Sequence, residues 1–151
     1  MRDNGFYPHT ITVYNRYQRG GFMGGMPPLP GWDRTIIKNV EWKDKSQVNA
    51  TNDGKSYIGK TITITIPQDE SVVIGNKRYV HPKEYALLPN DTDNAWTLQE
   101  NDVIVFGECE REITSLFTIT RLMEEFRATT IRAVRDSSEQ DILPCWKAEC
   151  A

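Results

Sequence analysis

No stretch of this chain approaches the roughly 20 consecutive apolar residues that a membrane-spanning helix needs, and the N-terminal MRDNGFYPHT has no apolar core of the signal-peptide kind. No membrane partner and no cleaved leader are expected, so synthesis in a reducing cytoplasm is. Cysteine is scarce: Cys109, Cys145 and Cys150 are odd in number and contain no CxxC pair, which argues against a disulfide framework and against a four-ligand zinc site. Histidine is scarcer still. His9 and His81 stand far apart, and neither belongs to a metal or nucleophile pattern. Basic excess is missing as well: the net charge is −3 at pH 7, with no footprint for gripping nucleic acid through its phosphates. Ser71 and Ser115 lack the G-x-S-x-G setting of a nucleophile elbow, and the glycines between Gly20 and Gly25 are not followed by the Lys-Ser/Thr and helix of a phosphate loop.

What is present is β-forming sequence. A chain of 151 residues is long enough for one domain with a real core, and we treat 1–151 as a single β-rich domain. Thr10 to Tyr14 (TITVY) alternates and predicts a first strand with Ile11 and Val13 inward. Asp33 to Lys43 predicts a second, but Ile37 is out of phase with Val40 and Trp42, and a bulge around Asn39 would return all three to one face. Lys45 to Ser56 reads as a polar connection with an Asn52-Asp53-Gly54 turn, after which Ile58 to Ile66 returns antiparallel. Within it TITITI places Ile62, Ile64 and Ile66 inward and the threonines outward; Pro67 ends the run. Lys83 to Leu88 predicts a helical turn with Pro82 near its start.

The stretch from Leu98 to Phe126 organises the rest. Gln99 to Asp102 is a polar turn, Val103 to Phe106 a buried strand, and Gly107 a bend. A further strand follows in the prediction, with Glu108, Glu110 and Glu112 on a wet face and Cys109, Arg111 and Ile113 opposite. Carboxylates spaced two apart on a strand lie about 7 Å from one another, too wide for one cation without other ligands, so we read this acidic face as a solvated or interfacial edge. Ile119, Leu122, Met123 and Phe126 then fall at helical spacing and predict a short helix lying on the sheet. Thr129 to Val134 and Ile142 to Trp146 complete six to seven strands. The expected fold is mainly β: a small antiparallel barrel or sandwich with one short helix and a long Gly/Pro loop.

That loop is Gln18 to Gly31, with five glycines and three prolines in fourteen residues. Its Phe22, Met23, Met26, Pro27, Pro28 and Leu29 are not what a solvated linker carries. Either they pack back on their own domain, or they are buried only against a neighbouring subunit or a channel.

Five segments, TITVYN at 10–15, WDRTIIKNVEW at 32–42, YIGKTITITIP at 57–67, KRYVHPKEY at 77–85 and LQENDVIVFGECEREITS at 98–115, resemble in order a family encoded in the structural gene clusters of tailed phages and prophages of Firmicutes. The layout is similar, more distantly, to the head-closure or stopper proteins of long-tailed phages. The resemblance implies a virion structural protein rather than an enzyme, without cofactor or metal: a ring-forming subunit of the neck, between portal-adaptor and tail proteins, with passive proximity to packaged DNA. By the same resemblance the Gly/Pro loop would face the channel or an adjacent ring. Two alternatives stay open, a tail terminator, tail-completion or capsid decoration protein, and a small cytosolic enzyme or ligand-binding barrel with a pocket near Tyr85 and Trp96.

Overall fold

A computed structural model describes residues 8–19, 29–50, 56–75, 77–88, 94–136 and 144–151. Among these residues eight strands run in chain order: β1 His9–Arg19, β2 Leu29–Ala50, β3 Ser56–Pro67, β4 Arg78–Tyr79, β5 Ala95–Trp96, β6 Val103–Phe106, β7 Ala128–Asp136 and β8 Cys145–Cys150. Two short helices, α1 Pro82–Ala86 and α2 Ile119–Glu125, interrupt them. Six strands close an antiparallel barrel in the order β1-β2-β3-β8-β7-β6, and β4 pairs with β5 as a separate two-stranded parallel piece.

Barrel closure depends on β2, which pairs with β1 up to Val40 and with β3 from Glu41 onward. Between these two ladders the expected bulge occurs: Ile37 faces Ile11 and Val40 faces His9, so β2 spends one more residue than β1, and Asn39 takes a φ of 58°. Asparagine tolerates that left-handed backbone better than a β-branched residue would. The extra residue restores the phase, and Ile37, Val40 and Trp42 enter one core with Ile11, Val13, Ile64 and Ile104. Ile62, Ile64 and Ile66 face inward as their alternation requires. Thr65, which the same alternation places on the opposite face, is buried as well.

A second cluster lies outside the barrel wall, where Tyr14, Val103 and Val105 meet Cys109, Phe117 and Leu122. Here α2 covers β6, started by Thr118, whose side chain accepts from the Arg121 N–H. Of the four residues expected to face the sheet, only Leu122 is fully buried. Ile119 packs at the edge, while Met123 and Phe126 remain 38% and 37% exposed. The helix lies on a narrow strip of wall, so a two-turn stripe has nothing to cover. The expected strand through Glu108–Ile113 is also corrected: no ladder forms between Gly107 and Thr118. Gly107 has a φ of 91°, which turns the chain off the barrel after β6.

Two ribbons extend past the barrel, one at each end of β2. Only Ile11 to Tyr14 of β1 pair with β6, so Asn15–Arg19 run on with Leu29–Asp33 as a two-stranded ribbon. Only Ile62 to Pro67 of β3 pair with β8, so Ser56–Thr61 run on with Lys45–Ala50. Both ribbons correct the sequence reading, which ended the first strand at Tyr14, gave Gln18 to Gly31 to a loop and Lys45 to Ser56 to a connection. Gly31 fits its ribbon through a close approach: a Cβ there would meet the Tyr17 ring at 2.5 Å, so the ring lies over the space that glycine leaves.

Candidate functional site

A cluster of polar side chains, Asn15, Thr97, Gln99 and Asp102, sits where β1 leaves the barrel. Asn15 is in phase with Ile11 and Val13, so its amide is carried into the interior. Its Nδ2 donates to the Thr97 carbonyl at 2.6 Å and to Asp102 Oδ2 at 2.8 Å, and its Oδ1 accepts from the Thr97 N–H at 3.1 Å. Asp102 is 2% exposed. Besides Asn15 it accepts from the Arg16 N–H through Oδ1 at 3.1 Å and from Gln99 Nε2 through Oδ2 at 2.8 Å. Gln99 Nε2 also reaches the Arg16 carbonyl at 3.1 Å. The polar turn expected at Gln99–Asp102 is thus present, with Asn101 at a φ of 75°, and two of its side chains take the place of β6 along the β1 edge at Arg16.

Burial pushes the Asp102 carboxyl up to about 6, while the hydrogen bonds from Gln99, Asn15 and the Arg16 backbone pull the other way. The residue lines a cleft of about 500 Å³ with Arg16, Tyr17, Trp32, Tyr85 and Glu100. A carboxyl titrating near 6 on a cleft wall has the acidity of a general acid or base. Its oxygens, however, are spent on three donors that fix the Leu98–Asp102 turn to β1. The arrangement is a staple for the root of the ribbon.

A second cleft, of about 560 Å³, shares Arg16 and Trp32 and is walled by Ile113, Thr114, Thr118 and Ile119. A smaller one, of about 240 Å³, is lined by Tyr79, Trp96, Trp146, Gln68 and Asp69. There the Tyr79 and Trp146 rings stack with centroids 4.2 Å apart, and Trp96 meets both edge-on. The enzyme or ligand-binding alternative placed its pocket near Tyr85 and Trp96, and a deep pocket holding His81 and a carboxylate would mark it. Tyr85 and Trp96 line different clefts, and His81 lines neither: it caps α1, its Nδ1 accepting from the Lys83 N–H.

The sequence-derived site residues divide. Phe22, Met23, Met26, Pro27 and Pro28 lie outside the described residues, and Leu29 is described only as the first residue of β2, opposite Arg19. Glu108, Glu110 and Glu112 are all exposed, but on an irregular segment and not a strand face. That segment is tied down from beneath. The Cys109 N–H donates to Thr12 Oγ1 at 2.8 Å, its carbonyl accepts from Arg34 Nη1 at 3.0 Å, and the Arg111 carbonyl accepts from the Tyr14 hydroxyl at 2.6 Å. Burial, first, and the Cys109 thiol hold the Tyr14 phenol far above its ordinary range. The three cysteines do not converge: Cys145 and Cys150 sit at opposite ends of β8, and Cys109 belongs to the outer cluster. Among the described residues no group of three or more His, Cys, Asp or Glu side chains is placed to hold a metal ion.

Sequence reasoning missed Asn15 and Asp102. The signal available was Asn15 itself, a polar residue in phase with two core positions, which demands a buried partner.

No curated protein and no solved structure matches the chain. One family model does, over residues 6–151, and because it spans nearly the whole sequence the chain belongs to that family, the family of unknown function DUF6751.

Proposed function

We propose that this chain is a structural subunit of a tailed-phage virion, a ring subunit of the head–tail connector of the head-closure type, joining portal-adaptor to tail. The observation that carries the reading is the pair of ribbons, one at each end of a β2 strand whose contour is about 70 Å. The β1 ribbon is held in part by its own chain, with Tyr17 packed against Val80, Tyr85 and Ala95, whereas the β3 ribbon has no third strand among the described residues; two-stranded ribbons are marginal in water, so that extension is expected to be completed by a neighbour. Two different extensions on one chain suit a head-to-tail contact, the kind that closes a ring when the rotation allows. The resemblance to head-closure proteins names the assembly. A net charge of −3 suits a channel wall past which DNA slides without adhering.

Mass spectrometry and electron cryomicroscopy of purified particles test the reading. The chain is expected at the neck in a ring-like copy number. Its absence from particles would overturn the proposal, and its presence on capsid faces would replace the connector role by decoration.

A further inference from the structure

We infer that the cleft walled by Tyr79, Trp96 and Trp146 is a binding site for a small quaternary ammonium compound, one carrying a trimethylammonium group of the choline kind. Its occupancy does not depend on which assembly the chain enters.

Three strands bring the rings together. Tyr79 and Trp96 are cross-strand partners in the β4–β5 pair, and Trp146 stands on β8 opposite Ile66. Tyr79 and Trp146 stack at 4.2 Å, and Trp96 meets them at 74° and 87°, so the three rings form a corner and not a flat wall. In such a corner a cation meets the negative faces of aromatic rings from two directions. Trp96 is buried, whereas Tyr79 and Trp146 keep part of their surface for the cleft. At about 240 Å³ the space is smaller than the roughly 300–1,000 Å³ of sites for drug-sized ligands, which sets the scale at a head group.

Charge and hydrogen bonding select the class. Among the described residues, the lining includes Asp69 and no Lys, Arg or His. Asp136 lies at the margin: it is the cross-strand partner of Trp146, and its Oδ1 accepts at 2.8 Å from Nε2 of Gln68, which lines the cleft. Burial raises the Tyr79 phenol, and the Asp136 charge raises it further against a hydrogen bond with Thr97, so the field of this carboxylate reaches the rings. Asp69 Oδ1 accepts from the Ser71 N–H at 2.9 Å and from the Ser71 hydroxyl at 2.8 Å. Both carboxylates are thus engaged already, and what they add to the cleft is negative charge more than open acceptors. A lysine ammonium brings three N–H donors that each need an acceptor, whereas a quaternary ammonium brings none and needs only charge and ring surface. The second is what this corner offers.

The test uses the full chain at constant ionic strength. Choline and tetramethylammonium chlorides are titrated while tryptophan fluorescence and the indole N–H signals are followed. Saturable binding with a Kd on the order of millimolar is expected, with the Trp96 and Trp146 signals moving first. The neutral isostere 3,3-dimethyl-1-butanol has the shape without the charge and is expected to bind at least about tenfold more weakly. Phosphocholine, the form that a lipid or polymer carries, brings its own anion toward two carboxylates; it is expected to bind more weakly than choline, which separates a free ligand from a tethered one. Trp146→Leu is expected to weaken choline binding at least about tenfold, and Trp146→Phe to retain most of it. Asp69→Asn keeps an acceptor for Ser71 and is expected to weaken choline at least about threefold while leaving the neutral isostere unchanged, so the inference stays testable if Trp146→Leu does not fold. No saturation by about 100 mM choline overturns it. So does equal binding of the neutral isostere or of phosphocholine, or an Asp69→Asn chain that binds choline as the parent does. None of these results bears on particle content, which decides the assembly reading separately.

Discussion

Asp102 gives the sharpest test of how the ribbon root is built. Its carboxyl has an ordinary value of 3.8 and is pushed up to about 6 by burial. The folded state therefore binds its proton more tightly than the unfolded chain does. The stability contributed by that proton is fully present below about pH 4 and is lost as pH rises through about 6. A rise of that size corresponds to about 3 kcal/mol, and moving from pH 4 to pH 7 removes most of it. Asp102→Asn keeps one acceptor oxygen but cannot ionise. Urea unfolding of parent and variant between pH 4 and 7, at constant ionic strength, measures the difference directly. The parent-minus-variant stability is expected to fall by about 2–3 kcal/mol across that window and to be flat above it. A difference that stays constant with pH would refute the argument, because the burial cost would then fall on some other group.

Three further outcomes follow from the same contacts. Tyr14→Phe removes the hydroxyl that donates to the Arg111 carbonyl and should cost about 1–2 kcal/mol, with faster amide exchange confined to 107–112. Gly31→Ala should displace the Tyr17 ring and cost about 1–2 kcal/mol, read as a fall of a few degrees in Tm. Thr118→Ala deletes the α2 cap and should cost about 1 kcal/mol, restored by Ser or Asp at the same position.

Much of the barrel was legible because period-2 burial is a local signal. TITITI declared its inward face, Asn39 its bulge and Pro82 its helix start, since each follows from what one residue's side chain or backbone can do. The ribbons were illegible for the opposite reason. Gln18, Arg19, Leu29, Pro30 and Gly31 look like loop, and Lys45 to Ala50 like a polar connection, yet they lie in ladders because a partner strand supplies the hydrogen bonds that their own propensity does not favour. The same holds for α2: its spacing announced a four-residue stripe, but the strip of β6 wall beneath it buries Leu122 alone.

By itself, then, the sequence determined a mainly β chain, the inward residues of its longest alternating run and the polar turn before Val103. Only the tertiary structure decided that β1 meets β6 to close the wall, that Asn15 and Asp102 share a buried network across 87 positions, and that β2 runs past the barrel at both ends. The physical reason is range. Alternation, turns and caps are settled among residues a few positions apart, whereas closure, burial of a carboxylate and the length of a free edge depend on which distant strand arrives beside it.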